Sequence, residues 1–172
     1  MTGTIKTPGQ EVEAWVADFV VAHNLCPFAG KELRAGTIRF VETTAADEEA
    51  LLLALNDELD LIFVNKKIET TVLVHPNVLQ NFADYNEFLE LADELVFSLG
   101  LEGELQIASF HPDYCFADTV PSSPDNLTNR SPFPMLHILR EESVARAVES
   151  HPDVSSIPER NIALLRALSP KT

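Results

Sequence analysis

The sequence predicts an α/β fold, and three observations predict it. Short β-branched or apolar runs alternate with stretches whose apolar residues recur at helical spacing, and Gly or Pro closes most of these segments. The chain has 172 residues, 45% of them apolar, enough for one sizeable core and too many for wholesale disorder. Strands separated by helices imply βαβ units. The expectation is a single domain over 1–172. It has a small, mostly parallel sheet of about three strands with helices packed on it, plus N- and C-terminal helices that cover the sheet faces.

A polar lead, Met1–Gln10, precedes Trp15, Val16, Phe19 and Val20, whose spacing predicts an amphipathic helix from Glu11 to Asn24. Pro27 suits the first turn of a short helix that runs through Leu33 and stops at Gly36. Thr37–Glu42 alternates and reads as a strand. Thr44 is the expected N-cap of the next helix, with Asp47, Glu48 and Glu49 in its first turn and Leu51, Leu55 and Leu59 as its stripe. Thr70–His75, stopped by Pro76, reads as a strand covered on both faces. Phe82, Tyr85, Phe88, Leu89, Ala92, Leu95, Val96 and Leu99 mark a third helix, closed by Gly100. Leu105–Phe110 is the third strand, stopped by Pro112. Pro134 is expected to open a helix carrying Met135, Ile138, Leu139 and Ala145, and Ser156 with Glu159 to form a capping box for a last helix through Leu168.

Asp and Glu outnumber Lys and Arg 27 to 12, a net charge of −15. Such a surface repels phosphate backbones and anionic head groups, so nucleic acid and membrane are not expected partners, and solubility is the plain use of the charge. No apolar run follows a basic start and none is long enough to cross a bilayer, which leaves the cytoplasm as the expected location. Two cysteines, Cys26 and Cys115, are too few for a disulfide framework.

Two strands end in the same dipeptide, His75-Pro76 and His111-Pro112. In a parallel sheet both imidazoles stand at the carboxyl edge, where open α/β sheets bind ligands. The stretch from His111 to Pro134 leaves from that edge with five prolines and no hydrophobic periodicity, and long irregular segments of this kind are usually functional or disordered. Its aromatics Tyr114, Phe116 and Phe133 favour an ordered, functional loop. His75, His111, Cys26 and Asp113 are the catalytic candidates. The plainer reading of each histidine is a ring that hydrogen-bonds backbone at a strand end.

Arg130 and Ser131 precede the expected Pro134 helix, whose N-terminus would offer free N–H groups to an anion while Arg130 offers a bidentate fork. Asn126 and Asn129 sit in the same polar stretch. His137, Arg140 and Glu141, at helical spacing, would share a face and present to the pocket or form a structural polar stripe. A metal is the weaker alternative: His75 and His111 with Asp113 or Asp118 supply two imidazoles and a carboxylate, without the tight local spacing of a metal motif. Cys26, placed before Pro27 as an expected N-cap, is a candidate thiolate, with a small buried hydrophobe as its plain reading. Cys-Pro-Phe is similar to the active-site turn of glutaredoxin-like and glutathione-transferase folds. Here it follows a helix rather than a strand, and Ala29 stands where a resolving cysteine would be.

Three stretches together carry a family resemblance: Leu25–Ala29, Ala108–Tyr114 and Asn129–Ser143. With them the whole chain resembles the bacterial family catalogued as domain of unknown function 1415. The resemblance implies a bacterial-type cytoplasmic protein and carries no activity, substrate or cofactor with it. Cys115 stands where that family leads one to expect a polar residue. The residues point to an enzyme acting on a small anionic, phosphorylated or carboxylated metabolite. The alternatives are a non-catalytic module that binds a small molecule or a protein, and a redox thiol protein built on Cys26. Cofactor and oligomeric state are left open.

Overall fold

The computed structural model describes residues 5–169; residues 1–4 of the polar lead and 170–172 lie outside the described residues. In chain order the elements are α1 (Pro8–Trp15, continued by a π-helical turn Val16–Val21), α2 (Ala29–Ala35), β1 (Ile38–Glu42), α3 (Glu48–Val64) and β2 (Thr70–Val74). There follow α4 (Phe82–Ser98), β3 (Leu105–Phe110), a 3-10 turn (Pro124–Thr128), β4 (Met135–Arg140), α5 (Glu141–Ser150), a short 3-10 turn (Val154–Ser156) and α6 (Ile157–Leu168).

The strands form one four-stranded sheet in the order β1-β2-β4-β3. β1 and β2 pair in parallel, whereas β4 runs antiparallel to both of its neighbours. The sheet is therefore mixed, which corrects the expectation of about three mostly parallel strands. The added strand is Met135–Arg140, the segment expected to be helical. Met135, Ile138 and Leu139 fit a helical stripe, but both faces of this central strand carry apolar residues, Leu136 and Ile138 on one and Met135 and Leu139 on the other, so the sequence lacks the alternation that would mark it. The helix starts at Glu141 instead.

Because β4 opposes both β2 and β3, the strands β1, β2 and β3 share one direction. His75 and His111, each one residue past a strand, thus stand at the same carboxyl edge.

One face of the sheet lies under α3 and α4. Leu51, Leu55, Leu59 and Ile62 of α3 and Tyr85, Phe88, Ala92 and Val96 of α4 are buried against Leu73, Leu105, Leu136 and Ile138. Each such large side chain contributes about 1.5–3 kcal/mol, so this layer dominates stability. At its margin Arg39 of β1 makes a bidentate pair with Glu58 of α3, at 2.7 and 2.9 Å. The second face carries a smaller cluster, Val12 of α1 with Val72, Val74 and Met135, flanked by Trp15 and Phe110.

Several boundaries shift for local reasons. α1 begins three residues earlier than expected because Thr7 and Gln10 form a capping box around Pro8. Asp47, not Thr44, caps α3 by accepting the Ala50 N–H at 2.8 Å. Gly36 and Gly100 stop their helices in left-handed conformations, φ 67° and 70°, as the sequence predicts. α6 starts where expected, but Ser156 makes no cap; its hydroxyl donates to Asp153 O. Nor do both C-terminal helices cover the sheet. α6 packs on the Pro124–Thr128 turn, where Arg166 makes a bidentate pair with Asp125. No helix among the described residues is long and apolar enough to cross a membrane.

Candidate functional site at the carboxyl edge

Tyr85 joins the two histidines. Its ring stacks on His75 at 5.9 Å between centroids and lies 5.1 Å from His111, and all three side chains are buried. A buried phenol needs hydrogen-bond partners. The Tyr85 hydroxyl donates to Met135 O at 2.8 Å and accepts the Phe110 N–H at 2.9 Å, tying α4 to the ends of β3 and β4. Tyr85→Phe removes both bonds and is expected to cost about 2 kcal/mol in urea unfolding, with reduced hydrogen-exchange protection at the Phe110 amide.

A carbonyl only accepts, so the bonds of the two rings fix their tautomers. His75 donates through Nδ1 to Val78 O at 3.0 Å, which leaves Nε2 as a buried acceptor with no partner among the described residues. His111 donates through Nε2 to Leu79 O at 3.1 Å, and its Nδ1 accepts the Asp113 N–H at 3.0 Å. Burial pushes His75 down to about 4 and lowers His111 as well, so both rings are neutral near pH 7.

Two neutral imidazoles thus hold two consecutive carbonyls of the β2–α4 loop. Leu79 in that loop is left-handed, φ 57°, a conformation that costs a leucine about 1–2 kcal/mol and persists only under restraint. Its carbonyl is held by His111, the preceding one by His75, and its side chain is buried in the core.

The pinned loop forms one side of a broad cleft of about 720 Å³. Val78, Leu79, Gln80 and Asn81 line it with Asp47, Glu48 and Glu49 from the start of α3 and Asp84 from the start of α4. The ion pairs of the described residues lie elsewhere, so these four carboxylates have no basic neighbour within bonding distance.

The long loop is ordered, and its polar residues are spent on its own fold. Asn126, fully buried, accepts the Phe116 N–H and the Thr119 hydroxyl and donates to Val120 O. Asn129 donates to Ser109 O, and its carbonyl takes the His111 N–H. Arg130 donates to Tyr114 O at 2.9 Å and Pro121 O at 2.6 Å, and Ser131 to Phe133 O. Two premises of the anion site expected at Arg130 and Ser131 differ in the structure: Nε and Nη2 of the guanidinium donate to backbone carbonyls, and β4 rather than a helix follows Pro134.

His137 and Arg140 do not share a helix face with Glu141. They project from opposite faces of β4, and Glu141 opens α5. His137 bonds Thr70; Arg140 turns to the end of α3.

The other candidates do not converge. Asp113 and Asp118 are exposed, and no group of three metal-ligating side chains assembles among the described residues. Cys26 is exposed and is not an N-cap; Phe28 holds that position, and the Cys26 carbonyl takes the Ala29 N–H. Cys115, a free thiol, lies within sulfur hydrogen-bond distance of Thr119 and Asn126. Sequence reasoning missed Tyr85, Leu79 and the cleft carboxylates. Tyr85 carried a signal, a hydroxyl in the middle of a core stripe; Leu79 carried none.

Comparison with curated proteins and with solved structures gave no match. A family model described as "Protein of unknown function (DUF1415)" matches residues 8–172, and with nearly the whole chain covered, the chain belongs to that family.

Proposed function

We propose that the protein is a binding module that takes a small molecule bearing an ammonium or guanidinium group in the carboxyl-edge cleft. The observation that carries this reading is the set of four carboxylates, Asp47, Glu48, Glu49 and Asp84, lining one cleft without a basic partner. A bound cation would pair with these carboxylates. The loop on which the ligand rests is already held by His75 and His111, which lowers the cost of ordering it. Neither ring touches the cleft as an acid or base: both are buried, and the unpartnered His75 nitrogen is sealed.

An enzyme acting on a small anionic metabolite is the second reading. It draws on the N-termini of α3 and α4, which open on the same cleft and favour negative charge. Thermal unfolding with 1,5-diaminopentane, arginine, phosphate and citrate separates the two. At about 100 times its dissociation constant a native-state ligand raises the midpoint by several degrees. The expected result is a shift with the amines alone, abolished in the Glu48→Gln/Asp84→Asn double variant. A shift with phosphate or citrate alone moves the reading to the anionic enzyme, and a flat panel overturns both.

A further inference from the structure

The exposed apolar side chains gather on the outward side of α3 and α4. Of the eleven large ones exposed among the described residues, five stand on these two helices. Leu53 is 63% exposed, Val64 73% and Phe97 68%, and Phe63 and Leu91 are exposed as well. Single exposures scattered over a surface are ordinary, whereas this share on two adjacent helices marks a surface that meets a partner.

The two helices lie side by side and run in one direction. β1, β2 and β3 share a direction, so each helix returns across the sheet the same way, and the two pack on each other. Their first turns meet at the cleft, and both end at the opposite edge of the sheet. On α3, Leu53, Asp57, Asp60 and Val64 follow at spacings of four, three and four, which is one outward stripe. On α4, Glu87, Leu91 and Glu94 form the matching stripe, with Glu90 and Phe97 along its margin. All of these side chains are exposed.

Charge sets the kind of partner. α3 and α4 hold ten of the chain's 27 acids and none of its 12 bases. Glu58 pairs with Arg39, and the other nine carboxylates take part in no ion pair among the described residues. A second copy of this face would set like charge on like, and so would a nucleic acid. At the rim Lys66 already places Nζ 5.0 Å over the Phe63 ring, a cation resting on this apolar end. Both helices satisfy their own backbone groups and offer no strand edge, so an occupant must satisfy its own. A helix does that, and its apolar stripe fits between two parallel helices.

We infer that this face docks a partner protein through an amphipathic helix whose apolar stripe is flanked by lysine or arginine. The surface lies beyond the residues that line the carboxyl-edge cleft and stands whether or not that cleft binds an amine.

The probe is a 17-residue leucine–lysine peptide, the length of α3, with leucine at i, i+3, i+4 and i+7. Its control has the same composition in scrambled order, which keeps the charge and loses the stripe. In an amide ¹H–¹⁵N NMR titration of the full chain, the striped peptide is expected to move residues 53–64 and 87–98. It is expected to bind about tenfold tighter than the control. Leu53→Ser/Phe97→Ser, at two exposed positions, is expected to bring the two peptides level, and Asp57→Lys/Glu94→Lys to weaken both together. Equal affinities in the unaltered protein, shifts confined to residues 47–49 and 78–84, or no binding overturn the inference. Shifts of residues 53–64 and 87–98 that grow with protein concentration in the absence of peptide place a second copy there and overturn it too.

Discussion

Arg140→Met is expected to lower the unfolding free energy by about 3 kcal/mol, measured by urea denaturation. Arg140 is buried at the end of β4, and its guanidinium donates from Nε to Ile68 O at 3.0 Å and from Nη2 to Asn65 O at 3.1 Å and to Ile62 O. These carbonyls belong to the last turn of α3 and the segment leading into β2. A helix C-terminus exposes unpaired acceptors and the negative end of its dipole, so a planar cation there satisfies both at once. Methionine fills the volume and abandons the acceptors. Lysine keeps the charge but is a point donor that cannot reach the same set, so Arg140→Lys is expected to recover only part of the loss. A methionine variant as stable as the unaltered protein contradicts this role.

Acidification from pH 7 to pH 4 is expected to remove about 3 kcal/mol of stability through His75 alone. Burial depresses the folded-state value of this ring to about 4, against an unfolded value of 6.5. Above 6.5 both states leave it neutral and its contribution is complete. Between 6.5 and 4 the unfolded chain takes up the proton and the native state does not, so stability falls with pH through that window. The cause is physical: a proton on Nε2 would create a buried donor with no acceptor, beside His111. His111 and His137 act in the same direction. His75→Phe keeps a ring against Tyr85 and is expected to flatten the pH dependence of the urea midpoint in that window. An unchanged slope in the variant contradicts the assignment.

What the sequence reveals about this fold depends on where each signal is stored. β1, β2 and β3, the helix stops at Gly36 and Gly100, and the α3 and α4 stripes follow from spacing and backbone rules that are local. β4 does not, because apolar residues on both of its faces leave no alternation in the sequence, and Pro134 next to Met135, Ile138 and Leu139 imitates a helix start. The convergence of His75 and His111 survived that error, since their strands share a direction whichever way β4 runs. Arg130 shows the opposite case. A guanidinium in an acidic chain suggests an anion, yet whether its donors meet a ligand or the carbonyls of Tyr114 and Pro121 is decided by how a proline-rich loop turns. Three of the cleft acids, Asp47, Glu48 and Glu49, were visible at the start of α3, but their meeting with Asp84 of α4 is a tertiary fact.

The most direct measurement is an amide ¹H–¹⁵N NMR titration of the full chain with 1,5-diaminopentane. Binding in the carboxyl-edge cleft is expected to move residues 47–49 and 78–84 together, with a single dissociation constant, and to leave residues 113–130 unmoved. Shifts centred on the long loop, or none in the cleft at saturating amine, contradict it.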